Sequence, residues 1–590
     1  MEEAKQLKNI EKKYKLFNIN SIRICTAVVI LLSILLYEVF YCNARFVVNN
    51  FLNLESIQYN ISVCRIAFYI SVIVIYFVFS KKLIQPALET MDNKMKRVLI
   101  YIYIPIMIIL TLFFNIKAFN NLSVHSLYKV TLGVFNLLAG LIFLIYVSKD
   151  YVKNFIIACF TFGLIFSIST EYYHAFDEKK HFASAFNLAY LNVNFQDDPI
   201  INEQLNNIPH RTNGNEFYQY YEMKYDNKIE PNTALEDVSS TPAGYSRFLY
   251  MFPAIGIFLA KTLGGTVADI FIAGRIFNLI FYIILMSIAI KIIPIKKRVL
   301  IALGLLPMVV LQAASYSIDA SCVAVVVLFM AYVFKLYKMD EIKLKNWGAL
   351  GILFLLMLTA KSMAYIAVGA LIFILPLRKI IKKQNKKVKI GLFISVLLII
   401  LATIGVLFYI KNNVNNISSD TRGGAEVNAP EQIKYIINNP LKIVKLELNY
   451  MNSSLLNFGW LTALHQSAFF TEKYGPSTFL IIILLLSYIS VLDDSYSFNK
   501  KEKTIFVITF FMVYIMTNIV LYFSFTPVGY ETINGYQARY IYPILPLLLV
   551  CISNKNIKVT KGNNTNLLII LSSIIILMIG VSEAIMAGRP

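Results

Sequence analysis

Apolar runs long enough to cross a bilayer, about 20 residues of helix each, recur from residue 24 to residue 587 of this 590-residue chain with only short breaks. That recurrence dictates the fold class: an all-α, polytopic transmembrane protein. Composition agrees. Only 15% of residues are charged and 57% are hydrophobic, against about 25% charged in soluble domains. The abundance of Ile, Lys, Asn and Tyr suggests a bacterial source with an AT-rich genome.

The net charge of +21 comes from Lys and Arg in short blocks between apolar runs, not on one face interleaved with aromatics, so it reads as the positive-inside rule and not as nucleic-acid binding. Lys5, Lys8, Lys12, Lys13, Lys15 and Arg23 place the N-terminus in the cytoplasm of a multi-pass bacterial membrane protein. The first apolar run lacks a small-residue cleavage site and reads as a retained span. Six scattered cysteines form no CxxC pair and read as small apolar residues, with a Cys42–Cys64 bridge as the alternative.

Spans are expected at 24–41, 63–80, 98–116, 127–147 and 154–170, with alternate loops basic. The fifth span then emerges outside. It leads into a loop, 171–245, holding twelve acids against five Lys or Arg, the reverse sign of the inner loops. For 246–290 the basic cluster Lys291, Lys296, Lys297, Arg298 favours one crossing at 267–290 preceded by an interfacial segment. A hairpin of 299–316 and 318–338 follows, then two apolar arms over 346–377 around Thr359-Ala360-Lys361-Ser362. The seven Lys or Arg from Arg378 to Lys389 must lie inside. A span at 390–410 leads to a second outer stretch, 411–475, in which 430–448 has amphipathic helical spacing suited to a membrane surface. Spans near 477–493, 504–525, 537–552 and 566–587 complete a total of about fifteen (13–16).

No nucleotide-binding loop or metal knuckle is present. The outer loop opens with Asp177-Glu178-Lys179-Lys180-His181-Phe182. On a helix Asp177 and His181 are i, i+4 and Glu178 and His181 are i, i+3, so all three share one face. A carboxylate there can act as general base and an imidazole can position groups or bind a metal; the alternative is a solvated helix start with acids in its first turn. Asp319 sits between two spans and Lys361 interrupts an apolar run, a place that suits a phosphate or a snorkelling cation. Arg539, with Gln537 and Tyr540, opens a late span and can grip a phosphate or anchor the helix. Arg275 is mid-span and demands a partner. His465 reads as structural.

These motifs, in the order Asp177-Glu178-x-x-His181-Phe182, Gly274-Arg275-x-x-Asn278, Pro307-Met308-x-x-x-Gln312-Ala313-Ala314-Ser315 with Asp319-Ala320, Ala360-Lys361-x-x-x-Tyr365, Phe458-Gly459-Trp460-Leu461 and Gln537-x-Arg539-Tyr540-x-x-Pro543, resemble those of a family of bacterial integral-membrane proteins of unknown function. That family in turn is similar to the C-type glycosyltransferases, which use polyprenyl-phosphate-linked sugars. The resemblance covers about 155–550. It implies residues 1–153 as N-terminal spans of no assigned role, 154–410 as a catalytic-like transmembrane module with outer loop 171–245, 411–476 as an outer loop with an amphipathic helix, and 477–590 as C-terminal spans.

It further implies glycosyl transfer at the outer face, from a polyprenyl-phosphate donor to a cell-envelope glycan or lipid acceptor. Asp177, then Glu178, with His181, would be the catalytic groups. Asp319, Lys361, Gln537, Arg539, Tyr540 and Arg275 would contact substrate. The expected partners are the lipid-linked sugar, the acceptor and the bilayer. No cofactor is assigned, and a divalent metal is an option. The chain departs from the glycosyltransferase pattern at Thr241-Pro242-Ala243-Gly244-Tyr245, where paired prolines are usual. A flippase or other transporter, or a polymerase or ligase of lipid-linked glycans, is the competing class.

Overall fold

The structure is a computed structural model. It describes residues 19–42, 61–90, 101–105, 124–148, 150–170, 177–189, 246–360, 362–375, 423–451, 477–493, 496–552 and 563–587, with a few isolated positions besides. The described residues are all-helical and contain no strand.

Helix α1 (Ile19–Leu36) runs into a π-helical turn, Tyr37–Cys42. It is followed by α2 (Val63–Thr90), α3 (Val124–Tyr146), α4 (Tyr151–Ser169) and α5 (Glu178–Ala189). Next come α6 (Met251–Thr262), α7 (Val267–Ile292), α8 (Lys297–Gly304), α9 (Pro307–Ala313), α10 (Asp319–Lys338), α11 (Leu344–Leu358) and the single turn α12 (Ser362–Tyr365). The chain ends with α13 (Ala429–Asn438), α14 (Pro440–Tyr450), α15 (Ser477–Asp493), α16 (Lys500–Ser524), α17 (Leu545–Leu549) and α18 (Asn563–Ala587).

Among the described residues seven helices are long and apolar enough to cross a membrane: 23–42, 63–80, 127–146, 151–169, 267–292, 319–338 and 500–524. Each falls on a span expected from the sequence. The expected spans at 98–116 and 390–410 lie largely outside the described residues. All six cysteines are free, which removes the Cys42–Cys64 bridge.

Proline and glycine chemistry explains where helices break. The segment 246–263 is the short α6, entered by a 3-10 turn capped by Ser246. Its end is a Schellman turn: Gly264, at φ 67, donates its N–H to Lys261 O at 3.0 Å, and Gly265 donates to Ala260 O at 2.9 Å. Twelve residues rise only about 18 Å, short of the roughly 30 Å hydrocarbon core, so α6 does not cross alone. The expected continuous span 299–316 is instead α8 and α9, parted where Leu306 adopts extended backbone (ψ 133) before Pro307. The expected span 537–552 is likewise divided, into a 3-10 turn Ala538–Ile541, α17 and a second 3-10 turn, Val550–Ile552. Pro543 and Pro546 stand in that stretch, each without an N–H. The two arms over 346–377 are present as α11 and a 3-10 segment, Ile366–Ile374.

The chain forms two compact units, each discontinuous in sequence. The first comprises residues 1–283, 305–317 and 571–590, and the second 284–304 and 318–570. The boundary drawn near 154 therefore falls inside the first unit. Within that unit α4 packs on α3 and α9, and α5 on α6. Asn136 of α3 donates to Met578 O (3.3 Å) and to Ser582 (3.0 Å) of α18. Gly256 of α6 lies so close to α7 that a Cβ there would sit 2.6 Å from Ala273 O, the small-residue contact that brings membrane helices together.

Within the second unit α10 is almost wholly buried and packs on α11. The carbonyl end of α15 takes the cations of the 296–298 cluster: Lys296 Nζ donates to Ser490 O at 2.7 Å, and Arg298 Nη1 to Leu492 O and Asp493 O at 3.1 and 3.0 Å. Cations at a helix C-terminus satisfy both its orphan carbonyls and its dipole.

Candidate functional site

The first unit holds a buried polar clasp. Arg275, mid-way along α7, directs Nε and Nη2 to the two carboxylate oxygens of Glu178, both at 2.8 Å. Its Nη1 donates to Ser167 O (2.9 Å) and Thr170 O (2.6 Å), carbonyls at the end of α4. Its guanidinium also lies 4.7 Å from the centre of the Phe271 ring. Both side chains of the pair are fully buried. The bidentate fork and the helix-end carbonyls together offset the desolvation of the charges. The Tyr316 N–H donates to Glu178 Oε1 at 3.1 Å, the Tyr316 hydroxyl to Phe271 O at 2.9 Å, and Asn278 Nδ2 to Ser315 O and Ser317 O at 2.7 and 3.1 Å. The pattern Gly274-Arg275-x-x-Asn278 thus has a physical reason. Arg275 and Asn278 grip neighbouring segments, and Gly274 makes room for Tyr316, whose hydroxyl would be 1.9 Å from a Cβ at that position.

This changes the geometry expected for Asp177, Glu178 and His181. The helix begins at Glu178, since Asp177, at φ 54, lies outside the right-handed helical region. Asp177 stands outside α5 in left-handed backbone (φ 54) and is exposed, while its C=O accepts from His181 N–H at 3.1 Å. His181 is buried, with Nδ1 2.8 Å from the Tyr250 hydroxyl. The three side chains do not share one helical face. Glu178 and Arg275, expected in separate roles, are each other's partner.

The second unit gathers Asp319, Gln537, Arg539 and Tyr540. Asp319, in the first turn of α10, lies 2.5 Å from Arg539 Nε as a buried ion pair. The Arg539 guanidinium is 5.4 Å from the Tyr540 ring, and Tyr365 donates to Tyr540 O at 3.2 Å. Tyr536 links Tyr450, Tyr514 and Tyr540 at ring separations of 6.1, 5.5 and 5.9 Å. Gln537 Oε1 is buried without a partner among the described residues. Lys361, His465 and the loop residues His174, Asp197, Asp198 and His210 lie outside the described residues. Among the described residues no three His, Cys, Asp or Glu side chains gather to hold a metal ion.

Two groupings escaped the sequence reading. Glu38, Arg65 and Asp269 meet in the first unit: Arg65 is 2.6 Å from Glu38 and 3.4 Å from Asp269, Ser62 donates to Asp269 at 2.7 Å, and Tyr69 donates to Glu38. The signal was there, since Glu38 and Arg65 are ionisable groups inside apolar runs. In the second unit Glu447 of α14 accepts from Asn518 of α16 at 2.9 Å, a pair that no motif announces.

No curated protein and no solved structure matches the chain. A family model described as "Predicted membrane protein (DUF2142)" matches residues 160–548, nearly the extent expected from motif order and inclusive of both the clasp and the Asp319–Arg539 pair. Matched over most of its length, the chain belongs to that membrane-protein family.

Proposed function

We propose that this protein is a membrane glycosyltransferase. In this reading it has about fifteen spans with the N-terminus in the cytoplasm, and it moves a sugar from a polyprenyl-phosphate donor to a cell-envelope glycan or lipid acceptor at the outer face. One observation carries the reading: Asp177 is exposed and held in left-handed backbone at the start of the acidic loop, while the carboxylate beside it is fully committed to Arg275. A non-glycine residue kept in that conformation costs about 1–2 kcal/mol, and such strain concentrates at functional sites.

Asp177 would take the proton of the acceptor hydroxyl as its oxygen attacks the anomeric carbon. The bond from that carbon to the phosphate oxygen breaks, and polyprenyl phosphate leaves as an anion that needs no general acid. That phosphate would need cationic stabilisation, for which the resemblance offers Lys361 and Arg539, the latter paired with Asp319 within the second unit. Glu178, His181 and Arg275 shape the segment that presents Asp177.

The test is reconstitution in liposomes with a polyprenyl-phosphate sugar. The wild type should release free polyprenyl phosphate with single-sugar transfer, and Asp177→Asn should lower that rate by at least about 100-fold, the scale of lost general-base catalysis. Translocation of intact lipid-linked sugar without release would assign a flippase. Joining of preassembled glycans would assign a polymerase or ligase.

A further inference from the structure

Helix α14 has two unlike faces. Leu441, Val444 and Leu448, in line with Ile437 of α13, are exposed, an apolar stripe suited to a bilayer surface. On the opposite side Leu446 packs with Tyr522 and Ile533, and Glu447 reaches Asn518. Glu447 Oε2 accepts from Asn518 Nδ2 at 2.9 Å. Glu447 Oε1 and Asn518 Oδ1 are both buried and neither has a partner among the described residues.

A carboxylate and an amide oxygen left over together are two acceptors lacking a donor. One proton cures both, because a neutral carboxylic acid donates O–H to the amide oxygen while still accepting from the amide N–H. We propose that Glu447 and Asn518 form a proton-operated latch: with Glu447 protonated, acid and amide close two hydrogen bonds and seat α14 on α16, and loss of the proton releases α14. Tyr450, on the same helix, stacks edge-on against Tyr536, so release would disturb the aromatic row that ends beside Arg539. The latch is argued from these contacts alone and does not rest on the reaction proposed above.

Burial pushes the Glu447 carboxyl up to about 7, against the opposing pull of the Asn518 hydrogen bond. Among the described residues no nearby cation reverses this. On α14 Lys442 is engaged with Glu531 at 3.3 Å and Lys445 is exposed. The remaining titratable groups of the packed elements are Glu431, Lys434 and Tyr435 on α13, Tyr450 on α14, Tyr514 and Tyr522 on α16 with Lys500, Lys501, Glu502 and Lys503 in its first turn, and Tyr530 and Tyr536 in the following loop. Since the folded value lies above the ordinary 4.5, the folded state holds the proton more tightly. The latch's contribution is therefore complete below about 4.5 and is lost as pH rises through about 7.

The test uses full-length protein in lipid nanodiscs, with spin labels at the exposed positions Leu441 and Ile508, compared at about pH 5.5 and about pH 8.5, either side of the expected titration. The wild type should show a change of interspin distance centred near pH 7, together with an infrared carbonyl band of a buried carboxylic acid that disappears at the higher pH. Glu447→Gln, which keeps both hydrogen bonds without a titrating group, should hold the low-pH distance throughout and lack the band. A wild type without a pH response, or a Glu447→Gln variant that responds like the wild type, overturns the latch. Either result leaves the sugar-transfer reading to its own reconstitution assay.

Discussion

At the scale of single residues, Arg275 and Glu178 show how a charge survives in an apolar interior: each nitrogen of the guanidinium is engaged, by a carboxylate on one side and helix-end carbonyls on the other. Removing one partner leaves the other buried and uncompensated, at a cost of about 3–5 kcal/mol. Arg275→Met and Glu178→Leu should therefore each lower the thermal midpoint of the purified protein sharply. The double variant should recover part of the loss, because it leaves no orphan charge; a double variant worse than the sum of the singles would contradict the pairing. Asp177 makes the opposite prediction. Asp177→Gly relieves the left-handed backbone and should raise stability by up to about 1 kcal/mol, while abolishing transfer in the reconstitution assay.

At the scale of elements, glycine positions separate packing from propensity. Gly274 faces the Tyr316 hydroxyl, whereas Gly348 and Gly351 on α11 have open space where a Cβ would go. Gly274→Ala should be strongly destabilising through displacement of Tyr316. Gly348→Ala and Gly351→Ala should be neutral or stabilising by up to about 1 kcal/mol, the helix-interior difference between Gly and Ala. Melting curves of the three variants check this.

Helices were also the level at which the sequence was most legible. Apolar run length and basic punctuation located all seven of the long helices, because burial in hydrocarbon demands both. The breaks at Leu306 and in the last arm were less legible. An apolar run looks the same whether its helix is whole or divided, and only the proline positions carry the difference. For the candidate site, motif order singled out Glu178, Arg275, Asp319 and Arg539, and the structure places all four in the buried interior. Their pairing was not readable, because Glu178 and Arg275 are 97 positions apart and no local periodicity links them.

At the scale of the whole molecule, the family match begins at residue 160, so helices α1 to α3 lie before it. Within the first unit the turn after α1 and helix α2 are joined to α7 by the ion cluster of Glu38, Arg65 and Asp269, with all three residues largely buried. Deleting residues 1–146 would strip Asp269 of Arg65 and leave a carboxylate in an apolar setting. The truncated protein should elute as aggregate on size exclusion, and adding Asp269→Asn should restore a share of the monodisperse species. If the truncation alone is well behaved, the cluster is not what holds the N-terminal helices.

The divided helices carry a consequence for hydration. Lipid tails cannot hydrogen-bond the amides and carbonyls that a break sets loose, and each one left in hydrocarbon costs several kcal/mol. The breaks at 305–306, at 359–360 and along 538–552 must therefore look towards protein or towards water that has entered from outside, never towards the acyl chains. The first two fall within the matched region, and the third begins in it and ends four residues beyond it. A deuterium-exchange map of the protein in nanodiscs should accordingly show faster exchange at these breaks than in the helices on either side wherever water, and not protein, satisfies the freed groups.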